Sequence, residues 1–163
     1  ELVDYFQNSS IKNVQIQKTY GGNSERAGII EWNPNNYNSD IPNQDGSNGR
    51  DPIFGLAHEM GHTWDRWENG NQSFTKTWYT AGNGDAVRES EKVSTWWENR
   101  IRSEHGAPLR EFYSYIDNGN GFQGESKGRI LIKGTSLSSH INVFGKPITY
   151  GGPFGILSIP YKY

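Results

Sequence analysis

The sequence lacks several features that mark common classes of protein. It has no cysteine, which excludes disulfides and any chemistry or metal binding that needs a thiolate. No apolar run approaches the roughly 20 residues of a membrane-spanning helix. The 16 basic and 18 acidic residues form no basic block, so we expect neither a nucleic-acid partner nor an electrostatic membrane anchor. The chain also begins without methionine or a signal-like segment, so we expect it to be a fragment of a longer precursor.

The hydrophobic content is low, but it is concentrated in large side chains. Only 33% of the residues are hydrophobic, yet the chain carries 6 Trp, 9 Tyr and 7 Phe, which bury a large area each. A length of 163 residues suits one domain. We therefore expect a single compact domain over residues 1–163.

Both ends of the chain have β-type patterns. Residues 13–19 and 27–32 predict two strands joined as a hairpin, and the polar, Gly- and Asn-rich residues 33–50 predict a long loop. After Pro108 the chain predicts further strands at 111–116, 129–133, 147–150 and 155–159, with a hairpin turn at 117–121.

Residues 51–70 have the signals of a helix with defined ends. Asp51 can cap free amides, Pro52 suits the first helical position, and Gly70 is a natural stop. Apolar residues recur between them at helical spacing, namely Ile53, Leu56, Met60, Trp64 and Trp67.

A second helix is predicted over residues 85–105, ending before Gly106 and Pro108. Its expected buried stripe consists of Val87, Val93, Trp97 and Ile101.

The first helix contains the segment His58-Glu59-Met60-Gly61-His62. Two histidines four residues apart lie on one face of a helix, where both imidazoles can reach one zinc ion. Glu59 lies beside them and can take a proton from the attacking water and pass it to a leaving amine. Gly61 allows close packing of another element under the site. The pattern predicts a zinc site that hydrolyses peptide bonds.

A catalytic zinc usually has three protein ligands, so one more is needed. The second helix offers Glu91, which we favour, with Glu89 as the competing choice. Glu98, two turns beyond Glu91, can orient a ligand or a substrate, and Asp65 can accept the outer N–H of a ligand histidine.

The HExxH segment, the Glu-bearing helix with its Glu98-Asn99-Arg100-Ile101-Arg102 run, and the Pro-containing turn that leads to Arg and Tyr resemble bacterial effector zinc metallopeptidases of the NleD type. Related domains occur at the toxic ends of Rhs-repeat proteins, and the clostridial neurotoxin light chains are remotely similar. The resemblance covers about residues 50–115. It implies Glu91 as third ligand, and it implies oxyanion-stabilising roles for Arg110 and Tyr113.

The resulting expectation is an α+β, zincin-like domain with N-terminal strands, an active-site helix, a Glu-bearing helix and a β-rich C-terminal tail. By resemblance it is a secreted or delivered toxin or effector that cleaves a protein or peptide substrate, and a cognate inhibitor or immunity protein is a possible partner. The alternatives are a non-catalytic zinc-binding module of a larger protein and a hydrolase of a non-protein amide. A closed site with four protein ligands would favour the former.

Overall fold

Two long helices that pack against each other form the centre of the fold. The computed structural model describes residues 2–8, 13–148 and 158–163, and within them small sheets surround the helix pair. The helices are α1 (Leu2–Gln7), α2 (Pro52–Asn69), α3 (Gln72–Thr75) and α4 (Ser90–Glu104). None of them is long and apolar enough to cross a membrane. The fold is therefore of the mixed α+β class.

The strands are short and mostly paired in hairpins. They are β1 (Gln15–Lys18), β2 (Ser24–Arg26), β3 (Ile29–Trp32), β4 (Asn38–Pro42), β5 (Asn48–Arg50), β6 (Thr77–Thr80), β7 (Ala86–Arg88), β8 (Tyr115–Asp117), β9 (Phe122–Gly124), β10 (Leu137–Asn142) and β11 (Pro160–Lys162).

Helix α2 has the ends that its sequence predicts. The Asp51 side chain accepts a hydrogen bond from the Ile53 amide at 2.9 Å, Pro52 is the first helical residue, and Gly70 ends the helix. The predicted stripe is wrong at its first position, because Ile53 is 45% exposed. Phe54, one residue later, is buried instead.

Helix α4 is shorter than predicted. Residues 86–88, expected to be helical, form strand β7 and pair antiparallel with β6. The backbone of Gly84 has a φ of 91°, which a glycine in a tight turn adopts readily and which lets the chain reverse between the two strands. Val87 is buried as predicted, but on a strand. The helix itself starts only at Ser90.

The two central helices are in close contact at Gly61. A Cβ atom at this position would lie 2.9 Å from the Cα of Ser94 and 3.2 Å from the Cβ of Trp97. The predicted close packing under the histidine segment is thus present, and the element that packs there is α4. The contact places the histidine-bearing turn of α2 opposite the first turns of α4.

We therefore expect Gly61→Ala to destabilise the protein, although alanine normally favours a helix over glycine. The added methyl group must push against the backbone of Ser94, and overpacking of this kind costs about 1–3 kcal/mol. Denaturant unfolding measures the effect. Gly55→Ala in the same helix is the matched control, because its Cβ would meet only the side-chain amide of Asn23 at under 3 Å. Equal stability of the two variants would contradict the close approach.

The N-terminal sheet differs from the predicted hairpin. Strand β3 pairs in parallel with β1 and antiparallel with β2, so the sheet order is β1-β3-β2. The hairpin joins β2 to β3 through Ala27 and Gly28, whose φ values of 52° and 90° suit a two-residue turn that matches strand twist. Residues 19–23 carry the chain from β1 to the start of β2.

The predicted long loop over residues 33–50 is also wrong, since it contains the β4–β5 hairpin. The turn between these strands is held by a hydrogen bond from the Asn43 amide to the Ser47 carbonyl and by the Asp45 carboxylate, which accepts from Ser47. Arg50 ends β5 directly before the cap of α2.

The C-terminal part has the predicted hairpin turn at 117–121, which joins β8 and β9. The predicted strands at 111–116 and 129–133 are wrong over most of their length, because there the chain makes single bridges, such as Phe112 with Arg129. Strand β10 was not predicted. The predicted strands at 147–150 and 155–159 lie partly outside the described residues.

Two hydrophobic clusters hold these parts together. The larger lies between the central helices and the N-terminal sheet, with Ile30, Met60, Trp96 and Trp97 buried in it. The smaller consists of Leu109, Ile130 and Leu131 and has Tyr113 packed against it. Tyr113 therefore reaches the central helices from a segment anchored in the smaller cluster.

Candidate metal centre

Two histidines of α2 and one glutamate of α4 converge on a single point. The Oε2 atom of Glu91 lies 3.0 Å from Nε2 of His58 and 3.2 Å from Nε2 of His62. One possible ligand atom from each residue lies within 4.8 Å of the others. The convergence follows from the Gly61 contact, which brings the first turn of α4 opposite the two imidazoles.

This arrangement fits a zinc ion. Imidazole nitrogen and carboxylate oxygen are donors that zinc accepts, and ligands bound tetrahedrally at about 2.0–2.1 Å lie about 3.4 Å apart. The distances from Glu91 to the two histidines are close to that separation. Three protein donors leave a fourth position for water or substrate, as in catalytic rather than structural sites.

Of the two candidate third ligands, only Glu91 faces the histidines. The carboxylate of Glu89 lies 2.7 Å from the ammonium of Lys92, with which it forms an ion pair. Glu89 is also the residue before the first turn of α4, on a different side of the helix axis from Glu91. The geometry therefore favours Glu91 as the third ligand.

We expect Glu91→Ala to weaken zinc binding by more than about 100-fold, the upper range for loss of a partner that only supports a ligand. Glu89→Ala should leave zinc affinity close to native, because that side chain pairs with Lys92. Competition with a fluorescent zinc chelator measures both values. A loss confined to Glu89→Ala would reverse the assignment.

Electrostatic coupling is strong within this cluster. Burial alone would lower the pKa of His58, but hydrogen bonds to Glu91 and Glu98 outweigh burial and raise the pKa to about 9. Burial would raise the pKa of Glu91, but the charge of His62 and hydrogen bonds with both histidines hold it far below its usual value. Zinc binding at this point must displace the proton of His58.

Glu98 supports His58 from behind. Its side chain is fully buried, and its Oε2 atom lies 3.2 Å from Nδ1 of His58. A carboxylate on the outer nitrogen fixes the ring orientation and leaves Nε2 free to bind a metal. This is the orienting contact that the sequence suggested for Glu98.

Three guanidinium groups surround the same carboxylate. Arg110 donates to Oε2 at 2.9 Å and Arg102 donates to Oε1 at 3.0 Å, while Arg50 lies 3.6 Å from Oε2. Burial would raise the pKa of Glu98, but Arg110, Arg102 and Arg50 hold it well below the usual range. Glu98 is therefore charged whenever the protein is folded near neutral pH.

The expected contact between Asp65 and His62 is not formed. Asp65 is buried and accepts hydrogen bonds from Asn69 at 2.9 Å and Ser73 at 2.6 Å, so it fastens α3 to α2. Nδ1 of His62 is buried without a hydrogen-bond partner among the described residues. The prediction failed because Asn69 of the same helix and Ser73 of α3 supply donors to Asp65, and the position of α3 is not evident from the local spacing.

Glu59 faces a cleft beside the cluster. The cleft has a volume of about 420 Å³ and is lined by Ile41, Arg50, His58, Glu59, Asn83, Arg110, Tyr113, Ser114 and Tyr115. Within the described part of the chain, no side chain forms a hydrogen bond or ion pair with the Glu59 carboxylate. It is thus available to exchange a proton with a molecule in the cleft.

Tyr113 lies against the cluster, whereas Arg110 lies behind it. The Tyr113 ring stacks on that of His58, with the two ring centroids 6.3 Å apart. Burial raises the pKa of Tyr113, so the hydroxyl keeps its proton. Besides Glu98, the Arg110 guanidinium donates to the backbone carbonyls of Phe112 and Tyr113.

Comparison with known proteins places the chain in a peptidase family. The profile of peptidase family M91, described as effector protein, matches residues 4–113, and the chain belongs to this family. No curated protein and no solved structure matches the chain. The matched range includes His58, Glu59, His62 and Glu91, and it confirms the resemblance to effector peptidases of the NleD type. The family is zinc-dependent in general.

Two residues of the site were missed by sequence reasoning. Arg102 follows Glu98 by one helical turn, a spacing typical of ion pairs, so a signal existed. Arg50 lay in the segment predicted as a loop, and nothing in the sequence linked it to α4.

Proposed function

We propose that this chain is a zinc-dependent endopeptidase of zincin-like fold that hydrolyses peptide bonds in a protein substrate. The observation that carries the proposal is the convergence of His58, His62 and Glu91 on one point, beside a cleft that Glu59 lines. The name of the effector family suggests delivery into a host cell. Secretion, a toxic role in that cell and a cognate inhibitor protein remain predictions.

The residues of the cleft divide the reaction between them. Zinc, when bound by His58, His62 and Glu91, would polarise the scissile carbonyl and make water more acidic. Glu59 takes the proton of the attacking water and passes it to the leaving amine. Tyr113, which stays protonated, donates a hydrogen bond to the oxyanion that develops on the carbonyl.

Arg110 acts in this proposal as a positioning residue. The resemblance implies an oxyanion role, but three of its N–H groups are directed to Glu98 and to the carbonyls of Phe112 and Tyr113. These bonds hold in place both Glu98, which orients His58, and the backbone of Tyr113. We therefore assign the oxyanion contact to Tyr113 and the ordering of the site to Arg110.

Removal of the metal tests the proposal. A quenched-fluorescence peptide library should be cleaved by the zinc-loaded chain, and a chelator should abolish the cleavage. One equivalent of zinc should restore it, whereas magnesium or calcium should not, because this donor set suits zinc better than hard cations. The mechanism would be contradicted if cleavage persisted in protein that metal analysis shows to contain no zinc. Bound zinc without any cleavage would favour the non-catalytic module.

A further inference from the structure

The buried ion cluster behind His58 has more positive than negative charge. Three guanidinium groups, those of Arg50, Arg102 and Arg110, pair with the single carboxylate of Glu98 among the residues that the structure describes. Three positive charges against one negative charge leave two in excess. Uncompensated charge at a buried site is costly, so a cluster of this kind favours a further anion nearby.

The three arginines are not equally satisfied. Arg102 donates to the carbonyl of Pro108 and the side chain of Asn43 as well as to Glu98, and Arg110 has the two backbone carbonyls already described. Arg50 has only the contact with Glu98 at 3.6 Å, beyond hydrogen-bond distance, and its Nε is buried without a partner in the described chain. Its hydrogen-bonding capacity is therefore largely unused.

Arg50 also lines the cleft, together with Glu59 and Tyr113. Its side chain is 12% exposed and forms part of the cleft wall. The side chains that line the cleft include the guanidinium groups of Arg50 and Arg110 and one carboxylate, that of Glu59. The cleft near Arg50 is thus positively charged, partly desolvated and adjacent to the reacting groups.

We propose that Arg50 forms a subsite that selects an acidic side chain of the substrate close to the scissile bond. A carboxylate matches the planar fork of a guanidinium group and would supply the missing negative charge. This inference rests on the proposed peptidase function, and it adds a substrate class: peptides with Asp or Glu near the cleaved bond. The same chemistry would be offered by a C-terminal carboxylate, so the test separates the two sources.

Peptide binding tests the subsite without requiring cleavage. Zinc-loaded Glu59→Gln protein is titrated with a series of N-terminally labelled peptides. Each peptide has an otherwise uncharged sequence with one Glu, placed at a different position in each member of the series. Matched peptides carry Gln at the same positions. All these peptides are amidated at the C-terminus, and a neutral panel with a free C-terminus is added. We expect the best Glu peptide to bind at least about tenfold more tightly than its Gln match, since a carboxylate forms a charge-assisted hydrogen bond with a guanidinium group and a neutral amide does not.

Variants of Arg50 assign this preference. Arg50→Gln in the same background should bring the ratio of Glu-peptide to Gln-peptide affinity to about one. Arg50→Lys should keep part of the preference, because an ammonium group carries the charge but not the paired N–H donors of a guanidinium group. Arg26→Gln is the matched control: it removes the same charge from an exposed position of β2 and should retain the native ratio. Ratios within one variant are independent of the fraction of folded protein.

Three results would overturn the subsite. The first is equal affinity for the Glu and Gln panels, including the absence of measurable binding to either. The second is a preference that survives Arg50→Gln, and the third is a preference only for the free C-terminus. Cleavage of the same peptides by the native chain tests the proposed function separately. Cleavage without a preference for Glu would disprove the subsite alone. A preference for Glu in binding, without any cleavage, would disprove the peptidase activity alone.

Discussion

Glu59→Gln is expected to lower kcat/KM for peptide cleavage by about 10²–10⁴-fold, the usual contribution of a general acid and base. The carboxylate of Glu59 lines the cleft, and no described side chain competes for it. The amide of glutamine has nearly the same size but cannot accept the proton of water. Zinc content should stay native, because Glu59 does not belong to the cluster of possible ligands.

Glu104→Gln is the control for this variant. Glu104 is exposed at the end of α4, and its replacement removes the same charge without touching the cleft. It should cleave at the native rate. The role of Glu59 as proton carrier would be disproved by near-native cleavage in Glu59→Gln, and loss of zinc from that variant would assign it a structural role instead.

Glu98→Ala is expected to lower the free energy of unfolding by about 3–5 kcal/mol, the cost of breaking a buried ion pair by removing one partner. The side chain is fully buried, and its loss leaves Arg50, Arg102 and Arg110 without a counter-charge. Denaturant unfolding in the presence of a chelator isolates this effect from the loss of metal affinity. Glu104→Ala, which removes an exposed charge from the same helix, should change stability by less than about 0.5 kcal/mol.

The pH dependence of stability provides a second readout for Glu98. Its pKa in the folded protein is well below the ordinary 4.5, so its contribution is present above about pH 4.5 and is lost as the pH falls below that value. Glu98→Ala should therefore lose less stability between pH 5 and pH 3 than the native chain does. Parallel stability curves for the two proteins would mean that Glu98 is not the charge that the three arginines hold.

The local features of α2 were predictable because each depends on neighbouring residues. The Asp51 cap, Pro52 at the start and Gly70 at the end define the helix without reference to the rest of the chain. The same holds for the spacing of His58 and His62, which fixes two ligands on one helix face.

The strands were harder to predict, because their pairing is not local. Residues 38–50 are too polar to read as strands, yet they pair with each other around the turn that Asp45 stabilises. Val87 fits a helical stripe and a buried strand equally well, and only the pairing of β7 with β6 decides between them. Similarly, β1 has a parallel partner because β3, and not β2, is the central strand of its sheet.

The choice of third ligand also needed the tertiary structure. Glu91 and Glu89 are two residues apart, and the sequence left both open. The close contact of Gly61 with Ser94 sets the rotation of α4 against α2, and this rotation directs Glu91 to the histidines. The contact of Arg50 with Glu98 was even harder to predict from the sequence, since the two residues are 48 positions apart in the chain.

Anomalous diffraction at the zinc absorption edge shows whether one zinc ion binds between His58, His62 and Glu91, as we propose. Crystals grown with equimolar zinc should show one strong anomalous peak at about 2.0–2.1 Å from Nε2 of each histidine and Oε2 of Glu91, with the fourth position held by a non-protein ligand. A peak elsewhere, or a fourth protein ligand that closes the site, would contradict a catalytic zinc site at these residues. So would a fully formed cluster that holds no zinc.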